Sequence, residues 1–452
     1  MVLLRNFNPN LEQTTLTHSR NKEIFSAQAG IMPILDDREC YEKKKKARRL
    51  VLIWKMKLLF VVLGMCVVAL PCVWGRMELD AGPRFNVIDY GAMGNGETDD
   101  SQAFLKAWKD ACNASYGTPT LLIPKEKTFM LQPLLFSGPC NPAIVHIKLK
   151  GSITAPKKIK AWKLGKGTRK AWIRFRRING LVIRGGGQID GQGAPWWNSY
   201  FNTEINRPTA LHFGECNNLF LSGLTHINSP KNHISLNRCN GSFISKLHFI
   251  APDESPNTDG IDISYSSNIL IKNSKMETGD DCIAINHGSS FISIIGVYCG
   301  PGHGISIGSL GKNGAHQTVE EIYVRNCTFN RTTNGARIKT WIGGQGYARK
   351  ITFKDIVVVE ATNAVIIDQQ YNPYDSVEAV RVSDVSYHNV RGTSSSAHAI
   401  KLHCDKNIGC TNIVLKGINI TTIAGKKTYA SCKNVKGVCS FCNPHVPCLS
   451  HS

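Results

Sequence analysis

The chain contains 452 residues, 42% of them hydrophobic, with 40 glycines and 19 prolines, a composition typical of a folded, turn-rich protein rather than a disordered or fibrous one. A formal net charge of +21 favours a polyanionic partner, either nucleic acid or an acidic polysaccharide. No zinc-finger spacing, aromatic RNA-binding motif or basic helix is visible in the sequence, so we expect an acidic polysaccharide and no nucleic acid.

The N-terminal part of the chain contains a pattern typical of an export signal. A basic run, Lys43–Arg49, precedes an uncharged apolar stretch over residues 58–70, which has the length of a signal-peptide core. We predict that residues 1–55 are an upstream extension without a fold of their own and that residues 56–75 are a signal peptide. An uncleaved signal anchor is the alternative, since the uncharged stretch from Leu58 to Gly75 is barely long enough to span a bilayer. In either case we expect the domain that follows to be secreted.

The cysteine content also indicates an oxidising compartment. The chain has 16 cysteines, and thirteen of them lie beyond residue 75. In the absence of a metal-binding spacing, this number is typical of exported proteins with disulfides. Because thirteen is odd, at least one thiol must be free or paired between chains. Many of them are closely paired in the sequence, among them Cys404/Cys410, Cys432/Cys439 and Cys442/Cys448.

One helix and then a series of short strands are predicted after Arg84. Asp99 and Asp100 are acidic N-cap candidates for a helix that ends near Cys112. Beyond it, strand-like segments with hydrophobic residues at their first and fourth positions are broken by Gly, Asn and Ser, and begin 23 to 33 residues apart. These segments begin at Leu221, Ile244, Ile294, Val324, Phe353, Val382 and Leu415. Ile271 begins a degenerate copy, in which Ser274 replaces the second hydrophobic residue.

A second column of short β segments lies between these strands. A repeat of this length is too small to bury its own apolar face, so neighbouring repeats must stack. A leucine-rich repeat is disfavoured because its Leu/Asn pattern is absent, and a β-propeller needs four strands in about 40 residues. The sequence therefore predicts an all-β protein, a right-handed parallel β-helix over residues 83–450, with the short helix as an N-terminal cap. The second column consists of Ile234–Leu236, Ile261–Ile263, Ile283–Ile285, Ile305–Ile307, Arg337–Lys339, Val365–Ile367 and Ile400–Leu402.

Four residues near this column form the candidate catalytic group. Asp259, Asp281 and His303 each lie two positions before the first Ile of a segment and are spaced by 22 residues, and Asp280 lies beside Asp281. In a β-solenoid this places them on successive strands, about 4.8 Å apart. Each motif alone is typical of an ordinary turn. Stacked carboxylates repel one another, however, so a fold selected only for stability rarely holds three together. Paired carboxyl groups, one protonated and one ionised, are what glycoside hydrolysis requires.

Arg337 and Lys339 lie one repeat further along the chain. As alternate residues of a strand they point to the same side. In so basic a protein a solvated face is the simpler interpretation. Beside an acidic cluster, the two cations are suited to bind the carboxylate of an acidic sugar.

Together these motifs resemble the polygalacturonase family of glycoside hydrolases, especially its plant members. The matching stretches are residues 255–260, 279–282, 300–308 and 337–339, and residues 85–92 resemble the start of the plant catalytic domain. The resemblance extends over roughly residues 83–450. It implies hydrolysis of α-1,4-linked galacturonan in the cell wall, with inversion and without a cofactor or metal. We expect the protein to act as a monomer.

The resemblance also implies a role for each residue of the acidic group. Asp280 would be the general acid, Asp259 with Asp281 would activate the water, and His303 would support the protonation state of the acid. The strand spacing, by contrast, places the carboxylates close together, and close carboxylates are associated with retention. The family's inverting mechanism is the one we expect here.

Further residues are implied to surround this group. Arg337 and Lys339 would bind a substrate carboxylate, with Tyr371 lining the same cleft, and a Cys282–Cys299 disulfide would lie beside the site. The plant pattern has a cysteine shortly after Tyr371, and its absence here leaves no local disulfide for that loop.

Three other functions compete with this interpretation. A pectate lyase would need a calcium site and a basic residue for proton abstraction, and its unsaturated product would absorb in the ultraviolet. A rhamnogalacturonan hydrolase is disfavoured by the pair Arg337 and Lys339, which suits plain galacturonan. A non-catalytic wall-binding solenoid is disfavoured because Asp280 and Asp281 are both present.

Overall fold

The computed structural model describes residues 82–165, 170–198, 206–371 and 378–451. The expected N-terminal extension and signal segment lie outside the described residues. Within the described ranges, no helix has the length and apolar character that crossing a membrane requires.

Short strands make up most of the described chain. Two α-helices, α1 (Ser101–Asn113) and α2 (Ala194–Trp197), interrupt them, as do 3-10 turns at Val87–Tyr90, Ile159–Ala161 and Lys312–Gly314. The strands, in chain order, are β1 Arg84–Asn86, β2 Asn95–Asp99, β3 Thr120–Ile123, β4 Thr128–Met130, β5 Leu134–Ser137, β6 Val145–Leu149, β7 Ser152–Thr154, β8 Ala171–Arg176, β9 Leu181–Arg184, β10 Gln188–Asp190, β11 Thr209–Gly214, β12 Phe220–Ser222, β13 Thr225–Ile227, β14 Ile234–Asn237, β15 Asn240–Ser245, β16 His248–Ile250, β17 Ile261–Ser264, β18 Ser267–Lys272, β19 Lys275–Glu277, β20 Ile283–Ile285, β21 Ser289–Ile295, β22 Tyr298–Cys299, β23 Ile305–Leu310, β24 His316–Arg325, β25 Thr328–Asn330, β26 Asn334–Thr340, β27 Gln345–Ala361, β28 Asn363–Asp368, β29 Arg381–Ser394, β30 His398–His403, β31 Cys410–Thr422, β32 Tyr429–Lys433, β33 Val435–Asn443 and β34 Ser450–His451.

The coils in the middle of the described chain supply three strands each, and from β26 onward each coil supplies two, because the long strand β27 pairs with both β24 and β25. Equivalent strands of successive coils pair in parallel. β14, β15 and β16 form one coil, and they pair with β17, β18 and β19 of the next. The strands fall into a 23-stranded sheet, called sheet 1, and an eleven-stranded sheet, called sheet 2. The fold is the predicted parallel β-helix. Sheet 2 consists of β5, β8, β11, β14, β17, β20, β23, β26, β28, β30 and β32.

The second column of the sequence forms the inner face of sheet 2. Ile234, Ile261, Ile283 and Ile305 pair in one register, and each is at most 1% exposed. Burial of one such side chain stabilises the fold by about 1.5–3 kcal/mol. Because neighbours in a strand point to opposite sides, the residues that alternate with these isoleucines face outward. The interior therefore fixes which side chains sheet 2 presents to solvent.

Among the predicted strand starts from Leu221 to Leu415, the one at Val382 is wrong. Val382 was expected to continue the register of Phe353, but Tyr387 pairs with Phe353, and Val382 pairs with Ala348. The Tyr387 ring is fully buried and stacks on Phe353 at 5.5 Å between ring centres. Because β29 is 14 residues long, it contains two hydrophobic patterns, and the valine pattern belongs to an earlier part of the strand.

Helix α1 packs against β1, β3 and β5 through Phe104, Trp108 and neighbouring small residues. Asp100 is at the N-cap, but its carboxylate does not cap the helix and instead accepts hydrogen bonds from the backbone of Met93 and Gly94. Asp99 provides the local bond, accepting from the backbone and hydroxyl of Ser101.

Candidate active site

The predicted acidic residues lie in the turns that lead into three successive strands of sheet 2. Asp259 precedes β17, Asp280 and Asp281 precede β20, and His303 precedes β23. The parallel hydrogen bonds extend into these turns, because the Gly260 amide donates to Asp281 O at 3.0 Å and the His303 amide donates to Asp280 O at 2.8 Å. The structure therefore brings the four residues together at one edge of sheet 2.

Glycines allow His303 to lie this close to its neighbours. Gly302 has a φ of 121° and Gly304 a φ of 82°, both in the region that favours glycine. A Cβ atom on Gly302 would overlap the carbonyl oxygen of Asp280, and one on Gly304 would overlap that of Asn334. The Gly-His-Gly sequence is thus required by close backbone contact, which sets the imidazole against Asp280.

Asp280 and His303 form a hydrogen-bonded pair. His303 Nδ1 lies 2.8 Å from Asp280 Oδ1, and the same oxygen accepts from the Asp281 amide at 2.8 Å. The other oxygen accepts from Asn257 Nδ2 at 3.1 Å. Burial opposes ionisation of Asp280, but the hydrogen bond and charge of His303 outweigh it and lower the pKa of Asp280 to about 2.

Asp281 is held by both of the predicted substrate-binding cations. Its side chain is 2% exposed, and Lys339 Nζ donates to Oδ2 at 2.9 Å while Arg337 donates to Oδ1. The Ser306 hydroxyl also donates to Oδ1, at 2.8 Å, and accepts from Arg337 Nε at 2.7 Å. In this state Arg337 and Lys339 therefore neutralise a buried protein carboxylate, a role that the sequence analysis did not assign to them.

Asp259 and a fourth carboxyl group, Asp262, complete the cluster. The pKa of Asp259 is raised well above its usual value by burial and by the charges of Asp262, Asp280 and Asp281. Burial and the charge of Asp281 raise the pKa of Asp262 to about 7. The site thus holds carboxyl groups whose pKa values are driven in opposite directions, the property by which acid and base roles are separated.

Three residues of the site, Asp262, Ser306 and Asn257, were not predicted from the sequence. Asp262 and Ser306 alternate with inward-facing isoleucines of the second column, so the strand pattern itself could have identified them as outward-facing. Asn257 has a φ of 54°, and its side-chain oxygen accepts from Arg207 at 2.6 Å while its amide reaches Asp280. No sequence signal marks this long-range contact with Arg207.

Tyr371 lies beside the cationic pair. The Lys339 ammonium is 5.4 Å from the centre of the Tyr371 ring, and Trp341 contacts the same ring at 6.0 Å between ring centres. Tyr371 is 45% exposed, which leaves much of its surface available to a ligand. The following loop, residues 372–377, lies outside the described residues.

Among the described residues, Asp280, Asp281 and His303 are also a group that could hold a metal ion. One ligand-type atom from each lies within 4.8 Å of the other two. Both oxygens of Asp281, however, are already bonded to Arg337 and Lys339. This donor set fits an internal ion-pair network better than a metal centre.

Five disulfides are present in the described part of the chain. Cys282–Cys299 lies beside the acidic residues, and Cys404–Cys410 closes a short loop. The neighbouring cysteines Cys432/Cys439 and Cys442/Cys448 do not bond to each other. Cys432 bonds to Cys448, and Cys439 bonds to Cys442. The remaining bridge is Cys112–Cys140, and the free, buried cysteines of the described residues are Cys216, Cys239 and Cys327.

Comparisons with known proteins relate this geometry to one family. Residues 112–442 match the family described as glycosyl hydrolases family 28. The chain is 48% identical over 377 residues to a probable polygalacturonase of Arabidopsis thaliana, covering 81% of each protein. It is 42% identical over 371 residues to a polygalacturonase of Persea americana, covering 80% of this chain and 79% of that protein.

Solved structures show the same fold. An endo-xylogalacturonan hydrolase from Aspergillus tubingensis superimposes with a TM-score of 0.69 at 27% identity, covering 78% of this chain and 96% of that one. A polygalacturonase from Erwinia carotovora gives a TM-score of 0.63 at 23% identity, covering 78% of this chain and 96% of that one.

Proposed function

The chain belongs to glycosyl hydrolases family 28, and we propose that it cleaves the α-1,4 linkages of polygalacturonan with inversion at the anomeric carbon. It is a pectin-degrading glycoside hydrolase, since its relatives across most of its length are polygalacturonases. The observation that carries the finer proposal is the cluster of Asp259, Asp280 and Asp281 with His303, set beside two cations that suit an anionic sugar.

Asp280 is the proposed general acid, which donates a proton to the oxygen of the leaving sugar. In the free site its pKa is low, so the pair with His303 favours the ionised form. A bound galacturonate raises the pKa of Asp280 by adding a negative charge nearby, and loss of the His303 charge acts in the same direction. Substrate binding thus promotes the protonation state that the reaction needs.

Asp259 is the proposed base that accepts a proton from the attacking water. Its raised pKa makes its ionised form the stronger base of the cluster. Asp281 is fixed by Arg337 and Lys339 and is suited to orient the water rather than to exchange protons. Only the form with Asp259 ionised and Asp280 protonated is active, so the two titrations belong to the coupled cluster.

Arg337 and Lys339 are proposed to serve both Asp281 and the substrate. Lys339 uses one donor for Asp281 and has two more, and the Arg337 guanidinium has five donors, of which two are engaged by Ser306 and Asp281. The remaining donors can bind a sugar carboxylate next to the exposed ring of Tyr371.

The setting of this activity is proposed to be the plant-type cell wall, with a secreted, monomeric enzyme. Five disulfides in the described residues require an oxidising compartment, and the basic charge of the chain favours a polyanionic substrate.

A reducing-end assay on polygalacturonate tests the proposal, combined with NMR of the anomeric proton during the first turnovers. We expect new reducing ends that appear first as the β-anomer, because inversion reverses the α configuration of the bond. First appearance of the α-anomer would contradict inversion. A product that absorbs in the ultraviolet and disappears with a calcium chelator would identify a lyase instead, and turnover confined to rhamnogalacturonan would identify the other hydrolase.

A further inference from the structure

The two outward columns that carry Arg337 and Lys339 continue along sheet 2 into a second basic region. Arg337 pairs with Ile366, which pairs with Lys401. Lys401 in turn pairs with Ser431. Two strand spacings therefore separate Arg337 from Lys401, a distance of about 10 Å along the fold.

The second outward column, which begins at Lys339, also loses its positive charge on one strand and regains it further along. Lys339 pairs with Asp368, Asp368 pairs with His403, and His403 pairs with Lys433. The intermediate strand β28 thus presents Ile366 and Asp368, and cations return only on the next two strands. Beyond the catalytic cluster, sheet 2 therefore presents a gap of one strand and then a second set of cations.

An aromatic surface and a polar network accompany these cations. The rings of His398 and Tyr429 stack at 4.7 Å between ring centres with an angle of 12°, and Tyr429 is 55% exposed. The Ser431 hydroxyl lies 2.6 Å from His398 Nε2 and 2.9 Å from His403 Nε2. Because one hydroxyl bonds to both imidazoles, the two rings are held in fixed positions.

The charges of this region are not explained by stability. Within the described ranges, neither Lys401 nor Lys433 forms an ion pair with a carboxylate. Burial and the charges of Lys401 and Lys433 lower the pKa of His403, with Asp368 opposing them. Lys401 and Lys433 are diagonal neighbours on the paired strands β30 and β32, and their like charges repel each other. The arrangement is therefore better suited to an anionic ligand than to the fold alone.

We propose that Lys401, His403 and Lys433 form a second carboxylate-binding station, with the stacked His398–Tyr429 pair as a platform for a sugar ring. Its ligand is a further galacturonate unit of the same chain that occupies the catalytic cluster. This inference rests on the proposed function and deepens it. A polysaccharide that occupies both the catalytic cluster and the second station must carry free carboxylates at both places. The enzyme is then selective for long, unesterified galacturonan blocks.

The station is tested by varying substrate length in a Lys401→Gln/Lys433→Gln double variant. Relative to the unmutated enzyme, we expect kcat/KM to fall about tenfold on polygalacturonate. The loss should be smaller for each shorter oligogalacturonide and should diminish at high salt, where exposed charges are screened. Lys416→Gln is the matched control, since Lys416 is an exposed lysine on β31 of sheet 1, and its loss should be equal for all lengths and within twofold.

A binding measurement separates this inference from the proposed function. Electrophoretic retardation in gels that contain polygalacturonate reports affinity without turnover, and the double variant should be retarded less than both the unmutated protein and Lys416→Gln. Equal retardation of all three proteins, or a loss of kcat/KM that is independent of substrate length, would overturn the station. An unmutated protein that cleaves no galacturonan would instead refute the proposed function, whatever its retardation.

Discussion

Replacement of Asp262 by Asn should stabilise the protein near neutral pH. Asp262 Oδ2 accepts from Asn232 Nδ2 at 2.6 Å, while among the described residues Oδ1 is buried without a hydrogen-bond partner. Burial and the charge of Asp281 raise the pKa of this carboxyl group from 3.8 to about 7. An amide has nearly the shape of the protonated acid and carries no charge at any pH.

The size and pH range of the effect follow from these two pKa values. Between about pH 4 and pH 7 the folded protein keeps a proton on Asp262 that the unfolded chain has already released, so the stability of the unmutated protein falls as pH rises. Each pH unit contributes about 1.4 kcal/mol, which gives a ceiling of about 4 kcal/mol above pH 7. For a domain of this size that corresponds to roughly 5 °C in Tm.

Thermal and urea unfolding of both proteins at pH 4, 5.5 and 7.5 measures this difference. We expect nearly equal stability at pH 4 and an increasing advantage of Asp262→Asn at the two higher values. Asp355→Asn is the control of opposite sign, because a hydrogen bond from Asn389 lowers the pKa of Asp355, and this variant should lose stability at neutral pH. An advantage of Asp262→Asn that does not vary with pH, or a loss at pH 7.5, would refute the electrostatic argument.

Three further variants test the contacts around Asp281 and Asp280. Lys339→Ala leaves a buried carboxylate with one cation fewer, so we expect a loss of about 3 kcal/mol in urea unfolding and of about 100-fold or more in kcat/KM. Unchanged turnover would limit Lys339 to a structural role beside Asp281. Ser306→Ala removes the hydroxyl between Arg337 and Asp281, and we expect kcat to fall about tenfold with little change in KM, whereas a change in KM alone would indicate a role in substrate binding. The pH profile of kcat should be acidic and bell-shaped, with an alkaline limb that reports Asp280 in the substrate complex, where the bound galacturonate raises its pKa. His303→Ala removes the contact that lowers the pKa of Asp280 and should move this limb to higher pH, whereas an unmoved limb would show that His303 does not control the protonation of Asp280.

The sequence predicts the part of this structure that repeats. The constant interval between Asp259, Asp281 and His303 is sufficient to place them on successive strands, because a parallel β-helix converts spacing in the chain into stacking in space. The prediction fails at one strand of sheet 1. The pattern that begins at Val382 does not continue the column, because hydrophobicity alone does not reveal which of two patterns in a long strand pairs with Phe353.

The electrostatics of the site were less predictable than its geometry. The sequence indicates that Arg337 and Lys339 face the acidic group, but strand register gives no information on how far each side chain reaches. Their engagement by Asp281 depends on the burial of that carboxylate and on the hydroxyl of Ser306 between them. Whether the pKa of Asp280 is raised or lowered likewise depends on the contact with His303, which only the folded turn provides.

The separate roles of Asp280 and Asp259 are the central claim, and the leaving group distinguishes them most directly. Asp280→Asn and Asp259→Asn should be compared on polygalacturonate and on an aryl oligogalacturonide whose phenolate leaves without protonation, with circular dichroism and substrate binding as controls of folding. We predict that both variants lose polygalacturonate hydrolysis by about 1,000-fold or more and that only Asp280→Asn retains turnover of the aryl substrate. If Asp259→Asn instead were the variant that still turns over the aryl substrate, the acid and base roles would be reversed. Near-normal hydrolysis of polygalacturonate by a folded Asp280→Asn protein would contradict the proposed site.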